Sequence, residues 1–232
     1  MRKKYELTDE ILEVGGYVLH RIKALRDFGN VKKGDIGGWI ECEDNLSHSG
    51  DSWIYDDAVA YNNAKVCDNA AVYNNAVVCD NAMVFGNAKV YNHSRVYDNS
   101  RVYGYAKIYD YAEVGVCAEV YGHATAFDSA TVCNHAVVRD YVEVGKRAIV
   151  YGNTEIGGNA VIESALDYIV FKNWWSSGRY FTWTRTNDMW TVGCFYGTGE
   201  ELIKKAYNDS DEKGREYERV VKYVESIKSE IK

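Results

Sequence analysis

Between Ile54 and Ile162 an aliphatic residue, or alanine at positions 60 and 126, stands at every sixth position through nineteen consecutive units without an insertion. A six-residue period matches no helical face, so this internal repeat fixes the architecture before any other feature. Two residues before each aliphatic position the side chain is small, in a series that runs from Ser52, Ala58 and Ala64 to Ala130 and Ala136. Two inward positions separated by two residues define a short strand. After each strand comes Asp or Gly followed by Asn, as in Asp68-Asn69, Asp80-Asn81, Gly86-Asn87, Asp98-Asn99, Gly152-Asn153 and Gly158-Asn159. These residues tolerate left-handed backbone angles and close local hydrogen bonds, so each pair marks a bend. Strand and bend, alternating every six residues, predict a solenoid whose rungs pair in parallel around a column of Val, Ile and Ala.

The flanking segments follow other patterns. Residues 1–45 alternate polar and apolar through Tyr17 to Phe28 and then reach the glycine-rich GDIGGWIECEDN. They predict two or three strands that cap the open end of the solenoid, where exposed backbone groups would otherwise recruit another chain. Residues 46–165 hold the repeats. In residues 166–232, alternation over Arg179 to Arg185 and Met189 to Phe195 predicts a hairpin turning at Thr186-Asn187-Asp188. Thr198 with Glu201 is a capping box that opens a helix through about Tyr207. Tyr217, Val220, Val221, Val224, Ile227 and Ile231 then share one face of a second helix.

Composition narrows the classes. The chain has 232 residues, 47% of them hydrophobic, and no proline, which suits one sizeable core with appendages packed onto it. The polar start MRKKYELTDE is unlike a signal peptide, and no stretch approaches the ~20 apolar residues of a membrane span, so a cytoplasmic protein without a membrane partner is expected. The net charge is −7, and residues 46–165 carry fourteen acidic against eight basic side chains. That surface is a poor one for duplex DNA. Asp residues at bends are explained as turn formers better than as imitation of nucleic acid. The six cysteines, at 42, 67, 79, 117, 133 and 194, include no pair eighteen apart and no CxxC spacing; reduced thiols, and neither disulfides nor a metal site, are expected.

The repeat resembles the hexapeptide repeat of left-handed parallel β-helix proteins, in which three units complete a triangular coil of eighteen residues. The fold class is accordingly mainly β, a left-handed parallel β-helix with an N-terminal β cap and a small C-terminal α+β domain. The run RDFGNVKKGDIGGWIECEDNLSHSGDSWIYDDA, followed directly by repeats, is similar to a family of bacterial and phage hexapeptide-repeat proteins, the YdcK type, which bear the name of acyltransferases. The resemblance implies assembly as a homotrimer with parallel axes. In the acyltransferase class it further implies a histidine as general base near a groove between subunits, with a loop extruded from the coil.

An eighteen-residue coil sorts the outward residues into columns. One reads Tyr55, Tyr73, Tyr91, Tyr109, Phe127, a ladder of rings that stabilises adjacent rungs and also suits an oligomer interface. At the bends Tyr105, His123 and Tyr141 form another stack, beside which a flat ligand is conceivable, although a plain surface stack is the simpler reading. His93, His123 and His135 occupy three different corners; each is a candidate general base, but histidine in place of Asn at a bend is more often structural. No inserted loop shapes an acceptor pocket. In the tail, Trp174 and Trp175 with Arg179 and Arg185 suit stacking on a base with charge assistance to phosphate, while most of the tail's aromatics must form its core.

Two functions from different classes follow, with a third beside them. The first is a non-catalytic oligomeric scaffold or binding protein, phage-derived, that sequesters a nucleotide-like small molecule or blocks a host protein and needs no cofactor. The second is an acyltransferase, for which acetyl-CoA is the donor. The third is a structural component of a phage particle.

Overall fold

The computed structural model describes residues 3–174 and 178–231. Three strands open the chain, β1 (Tyr5–Val14), β2 (Tyr17–Ala24) and β3 (Ile36–Ile40), and nineteen two-residue strands follow, β4 to β22, from Trp53–Ile54 to Val161–Ile162. Every third one pairs in parallel, with partners eighteen residues apart: Trp53 with Ala71, Lys89 with Lys107, Val144 with Ile162. Three parallel sheets result, of which the first also contains β1, β2 and β3. They form a β-solenoid of about seven turns. The aliphatic column and the small residues two positions before it point inward and are almost all fully buried, from Ile54 and Ala58 to Ala160 and Ile162.

At the bends and strand edges, backbone hydrogen bonds between coils run mostly one way, while inside each strand pair one bond runs back. The amide of each coil donates to a carbonyl of the next, as Lys65 to Ala82 at 2.9 Å, Tyr91 to Ile108 at 2.9 Å and Phe127 to Val144 at 2.9 Å. The N-terminal end of the prism therefore presents mainly bare carbonyls and the C-terminal end mainly bare amides, each costly to bury unpaired.

Both ends receive partners of the matching kind. At the N-terminal end Lys4 Nζ donates to the carbonyl of Ser52 at 2.7 Å, and the Tyr5 hydroxyl donates to that of Leu46 at 2.7 Å. The buried Asn45 side chain donates to the carbonyls of Asn62 and Ala64 at 2.8 and 3.0 Å, where the short turn Glu43–Asn45 leaves the ladder. At the C-terminal end the partners are acceptors. The Thr186 hydroxyl accepts from the Val161 amide at 2.9 Å, and Asp167 Oδ2 accepts from the amides of Glu163 and Ser164, both at 2.8 Å.

The ladder reaches further back than the strict repeat. Trp39 and Ile40 pair with Val59 and Ala60, and Leu46 bridges to Val66, at an offset of twenty residues where the later coils use eighteen. Gly37 and Gly38 permit this approach, because a Cβ on either would lie within 2.6 Å of a backbone carbonyl oxygen of Ile54 or Ala58. The β1–β2 hairpin prolongs one sheet beyond this coil, and Tyr5, Ile22, Phe28 and Val31 close the core beneath it.

At the opposite end four antiparallel strands, β23 (Tyr168–Lys172), β24 (Tyr180–Thr184), β25 (Met189–Val192) and β26 (Phe195–Gly197), precede α1 (Gly199–Asp209) and α2 (Asp211–Ile227). The hairpin pairs Thr184 with Met189, and the Thr198–Glu201 capping box is formed. Helix α1 extends two residues past the expected Tyr207, because the Ser210 amide caps it by donating to the Ala206 carbonyl at 3.2 Å. Phe181, Trp183, Trp190, Leu202, Val221 and Val224 make a second small core. Ile231 packs against it although the helix stops at Ile227. Among the described residues no helix is long and apolar enough to cross a membrane.

Each bend turns on one left-handed residue, the first of the two bend positions: Asp56, Asn62, Asp68, Asn74 and onward. Where that residue is Asp, its carboxylate commonly accepts the amide one coil above, as Asp68 from Gly86 at 3.0 Å and Asp140 from Gly158 at 2.8 Å. The acidic surplus of the prism thus serves its corners. Val116 breaks the chemistry: a β-branched residue at φ 61°, partly exposed, with no side-chain acceptor for the coil above. Left-handed geometry costs such a residue roughly 1–2 kcal/mol. Val116→Asn is expected to raise stability by about 1 kcal/mol, and thermal denaturation should show a higher midpoint; an unchanged or lower midpoint would refute the strain.

Lys4 yields a second expectation. Burial beneath the first coil, reinforced by the charge of Arg26 and opposed by Asp51, lowers its ammonium from the ordinary 10.5 to about 8. A folded-state value below the unfolded one means that the native protein sheds its proton first as pH rises, so this group's contribution to stability grows between pH 8 and 10.5. Wild-type protein should gain stability relative to Lys4→Met across that window in urea titrations, and a constant gap would count against it.

Candidate functional site

The solenoid's outer surface is built of columns, because residues eighteen apart stand on successive rungs about 4.8 Å apart. That spacing lets flat side chains stack. On the face that contains β4, Tyr55 and Tyr73 stack with centroids 4.6 Å apart, Tyr91 and Tyr109 at 5.0 Å, and Tyr109 and Phe127 at 5.4 Å. The ladder breaks once. Tyr73 and Tyr91 meet edge to face, 6.5 Å apart at 84°. The break opens a groove of about 310 Å³ lined by Asp56, Tyr73, Asn74, Lys89, Tyr91 and Lys107. Above Phe127 the column ends, because its ring lies where a side chain of Gly145 would be.

A second ladder, Phe85, Tyr103 and Tyr121, stacks at 4.8 and 4.7 Å on the adjacent face. Burial, followed by the charge of Glu119, raises the Tyr103 phenol far above its ordinary value, and its hydroxyl donates to Glu119 Oε2 at 3.1 Å. The third column is broken, as its composition implied. The Tyr97 ring overlies Gly115, and burial raises the Cys79 thiol to about 11. All six cysteines are free.

The corners carry the histidines. Tyr105, His123 and Tyr141 stack at 5.0 and 4.9 Å, each pair within 3° of parallel, with Tyr105 and Tyr141 more than half exposed. These rings already touch one another, so a flat ligand would lie against their edges or at an end of the stack, with no slot between them. A stack that the pattern reading passed over joins His93 to Tyr111 at 5.0 Å and 8°. The eighteen-residue spacing of those two positions was its signal. His135 stands on the remaining corner, where its amide donates to the Gly152 carbonyl at 3.0 Å. The three histidines thus lie on three corners, and among the described residues no group of three His, Cys, Asp or Glu side chains has the geometry of a metal site.

The tail's candidates are dispersed. Trp174 is 82% exposed, whereas Trp175 lies outside the described residues. The Arg185 guanidinium is held 2.5 Å from Asp167 Oδ1, and its amide donates to the Asp167 carbonyl at 2.8 Å. Burial by itself raises the Asp167 carboxyl, but the amides of Glu163 and Ser164, the Ser164 hydroxyl and Arg185 outweigh it and hold the group below its ordinary value. Arg185 therefore anchors the end cap. Arg179 is exposed at the start of β24, beside Gly193. Trp183 and Trp190 are core, and the Trp183 indole donates to Asp188 at 2.8 Å.

Where the tail meets the last coil a cavity of about 470 Å³ is lined by Tyr151, Asn153, Thr154, Tyr168, Val170 and Tyr180, among others. The Tyr180 hydroxyl receives Asn153 Nδ2 at 3.3 Å, and the hydroxyl end of Tyr196 occupies the place a Cβ on Gly158 would take, with its hydroxyl 3.4 Å from Asn159 Oδ1. Pattern reading missed this contact between segments distant in sequence. Its only trace was the bare Gly158 opposite an aromatic-rich tail.

No family model matches the chain. Part of it is similar to a curated relative, the uncharacterized acetyltransferase YdcK of Escherichia coli (strain K12), with 37% identity over 73 residues, 28% of this chain and 22% of the relative. The match thus spans about a fifth of the relative's length. The six-residue repeat, the eighteen-residue ladder it builds and this partial similarity show a parallel β-solenoid consistent with hexapeptide-repeat proteins.

Proposed function

We propose that this protein is a non-catalytic, self-associating scaffold that holds a ligand or a protein effector on the outside of its solenoid. The observation that carries this reading is the ladder of Tyr55, Tyr73, Tyr91, Tyr109 and Phe127, a strip of half-buried rings on one outer face that the solenoid's own core does not need. Rings held by stacking are rigid, so covering them costs little side-chain entropy, which is what an interface anchor requires. A homotrimer with parallel axes is the assembly the repeat class favours. Exposed stacks at two corners, with Trp174 and Arg179 on the tail, remain as ligand or effector contacts, and a phage-derived protein would use them to sequester its target.

Native mass measurement on protein purified from cells is expected to show a trimer. Tyr109→Glu, which places a charge in the middle of the strip, should shift it toward monomer by the equivalent of at least about 2 kcal/mol per interface, with the thermal midpoint little changed. A monomeric wild type would end the assembly part of the proposal.

A second reading, an acyl-CoA-dependent acyltransferase, is supported by the partial similarity to an acetyltransferase and by the exposed His93, His123 and His135. Acetyl-CoA titration separates the two. The scaffold reading expects no binding at millimolar concentration; turnover that is lost on replacing one of the three histidines by Ala would establish the enzyme.

A further inference from the structure

Three arginines of the prism share one arrangement, which the tyrosine face inverts. A cation on one rung is answered by a carboxylate on the rung above: Arg101 by Glu119 at 3.0 Å, Arg139 by Glu155 at 3.0 Å, and Arg95 by Glu113 at 4.0 Å. On the face with the tyrosine ladder, Lys89 has Lys107 directly above it, as register partners in adjacent parallel strands. Both side chains are exposed, and neither has a carboxylate within ion-pair distance among the described residues. Like charges one rung apart are unfavourable, and the surrounding solenoid is acidic, so acidic residues to neutralise them were available to this sequence and were not used here.

The pair stands at the break in the ladder. Tyr73 is turned with the ring below it and Tyr91 with the ring above, and the mismatch between them opens the groove of about 310 Å³, at the lower end of the range for small-molecule sites. Its walls offer two ammonium groups, two tyrosine rings at right angles, and the Asp56 carboxylate, whose Oδ2 is fixed by the Asn74 amide at 3.0 Å. From this we infer that the groove binds a phosphomonoester carried on a planar ring. The phosphate bridges Lys89 and Lys107, in the place of the carboxylate that stands above Arg101 and Arg95. The ring packs on Tyr73 or Tyr91, and Asp56 accepts a hydrogen bond from a donor on the ligand's uncharged end, which excludes a second anionic group there.

Calorimetric titration of the full chain at low salt, in wild type and in Tyr109→Glu, where no second copy covers the groove, tests this, with AMP and phenyl phosphate as ring-bearing probes and with adenosine and inorganic phosphate as the separate halves. AMP and phenyl phosphate should bind roughly tenfold or more tighter than either half, with affinity that falls as salt rises. Lys107→Glu should abolish binding while keeping or raising the thermal midpoint, because it restores above Lys89 the order seen at Arg101 and Glu119. Lys65→Glu, on another face, should leave binding unchanged. Equal binding of AMP and adenosine, equal binding by wild type and Lys107→Glu, or no binding of either phosphomonoester at millimolar concentration overturns the inference. Native mass of the same samples reports assembly independently, so failure here leaves the scaffold reading standing, and the reverse also holds.

Discussion

The hydrogen-bond ladder between coils, with its majority direction, governs this molecule. Because most inter-coil amides donate to the next coil's carbonyls, the prism has a net polarity, as a helix has, and its two ends have different needs. The N-terminal segment answers with donors, the Lys4 ammonium, the Tyr5 hydroxyl and the Asn45 amide; the C-terminal segment answers with acceptors, the Thr186 hydroxyl and the Asp167 carboxylate. Neither cap is interchangeable with the other. The caps also end the open rungs that would otherwise pair with a neighbouring chain.

The same ladder sets the surface. It places residues eighteen apart on successive rungs, so flat side chains in a column can stack and charges in a column become close neighbours. The three faces differ only in what the sequence loads onto this common frame. One face carries the longest ring strip, interrupted by a groove with two lysines. The next pairs its charges across rungs, and the third alternates rings with Cys and Gly. Asp at the bends serves the frame by accepting amides from the coil above, so much of the acidity of the prism is structural.

The proposed binding role draws on the outer surface of the solenoid and not on a reaction centre within one protomer. The histidines are spread over three corners by the arithmetic of the coil, and two of them are packed face to face against tyrosines. Chemistry that needs converging groups would have to draw them from a second copy. Recognition needs only a repeated, rigid surface, which a closed solenoid supplies by construction.

The sequence alone settled the strands, the bends and the inward column, since each depends on residues whose spacing in the chain is their spacing in space; the eighteen-residue coil that turns outward residues into stacks was implied by the resemblance and is seen in the strand pairing. The hairpin at Thr186-Asn187-Asp188 and the capping box at Thr198 were legible for the same reason, being local. Other features were decided only by the tertiary structure. The irregular coil through Ile40 and Leu46 has an offset of twenty, which breaks the count that pattern reading relies on. Arg185 looked available for a ligand until the fold brought Asp167 beside it. Tyr196 found Gly158 across 38 residues of chain, and the ring rotation that opens the groove between Tyr73 and Tyr91 is a rotamer choice, which spacing does not encode. Periodic contacts were readable because the period is the geometry; contacts between the rod and its ends, and the torsions of individual rings, depend on packing among residues that no repeat relates.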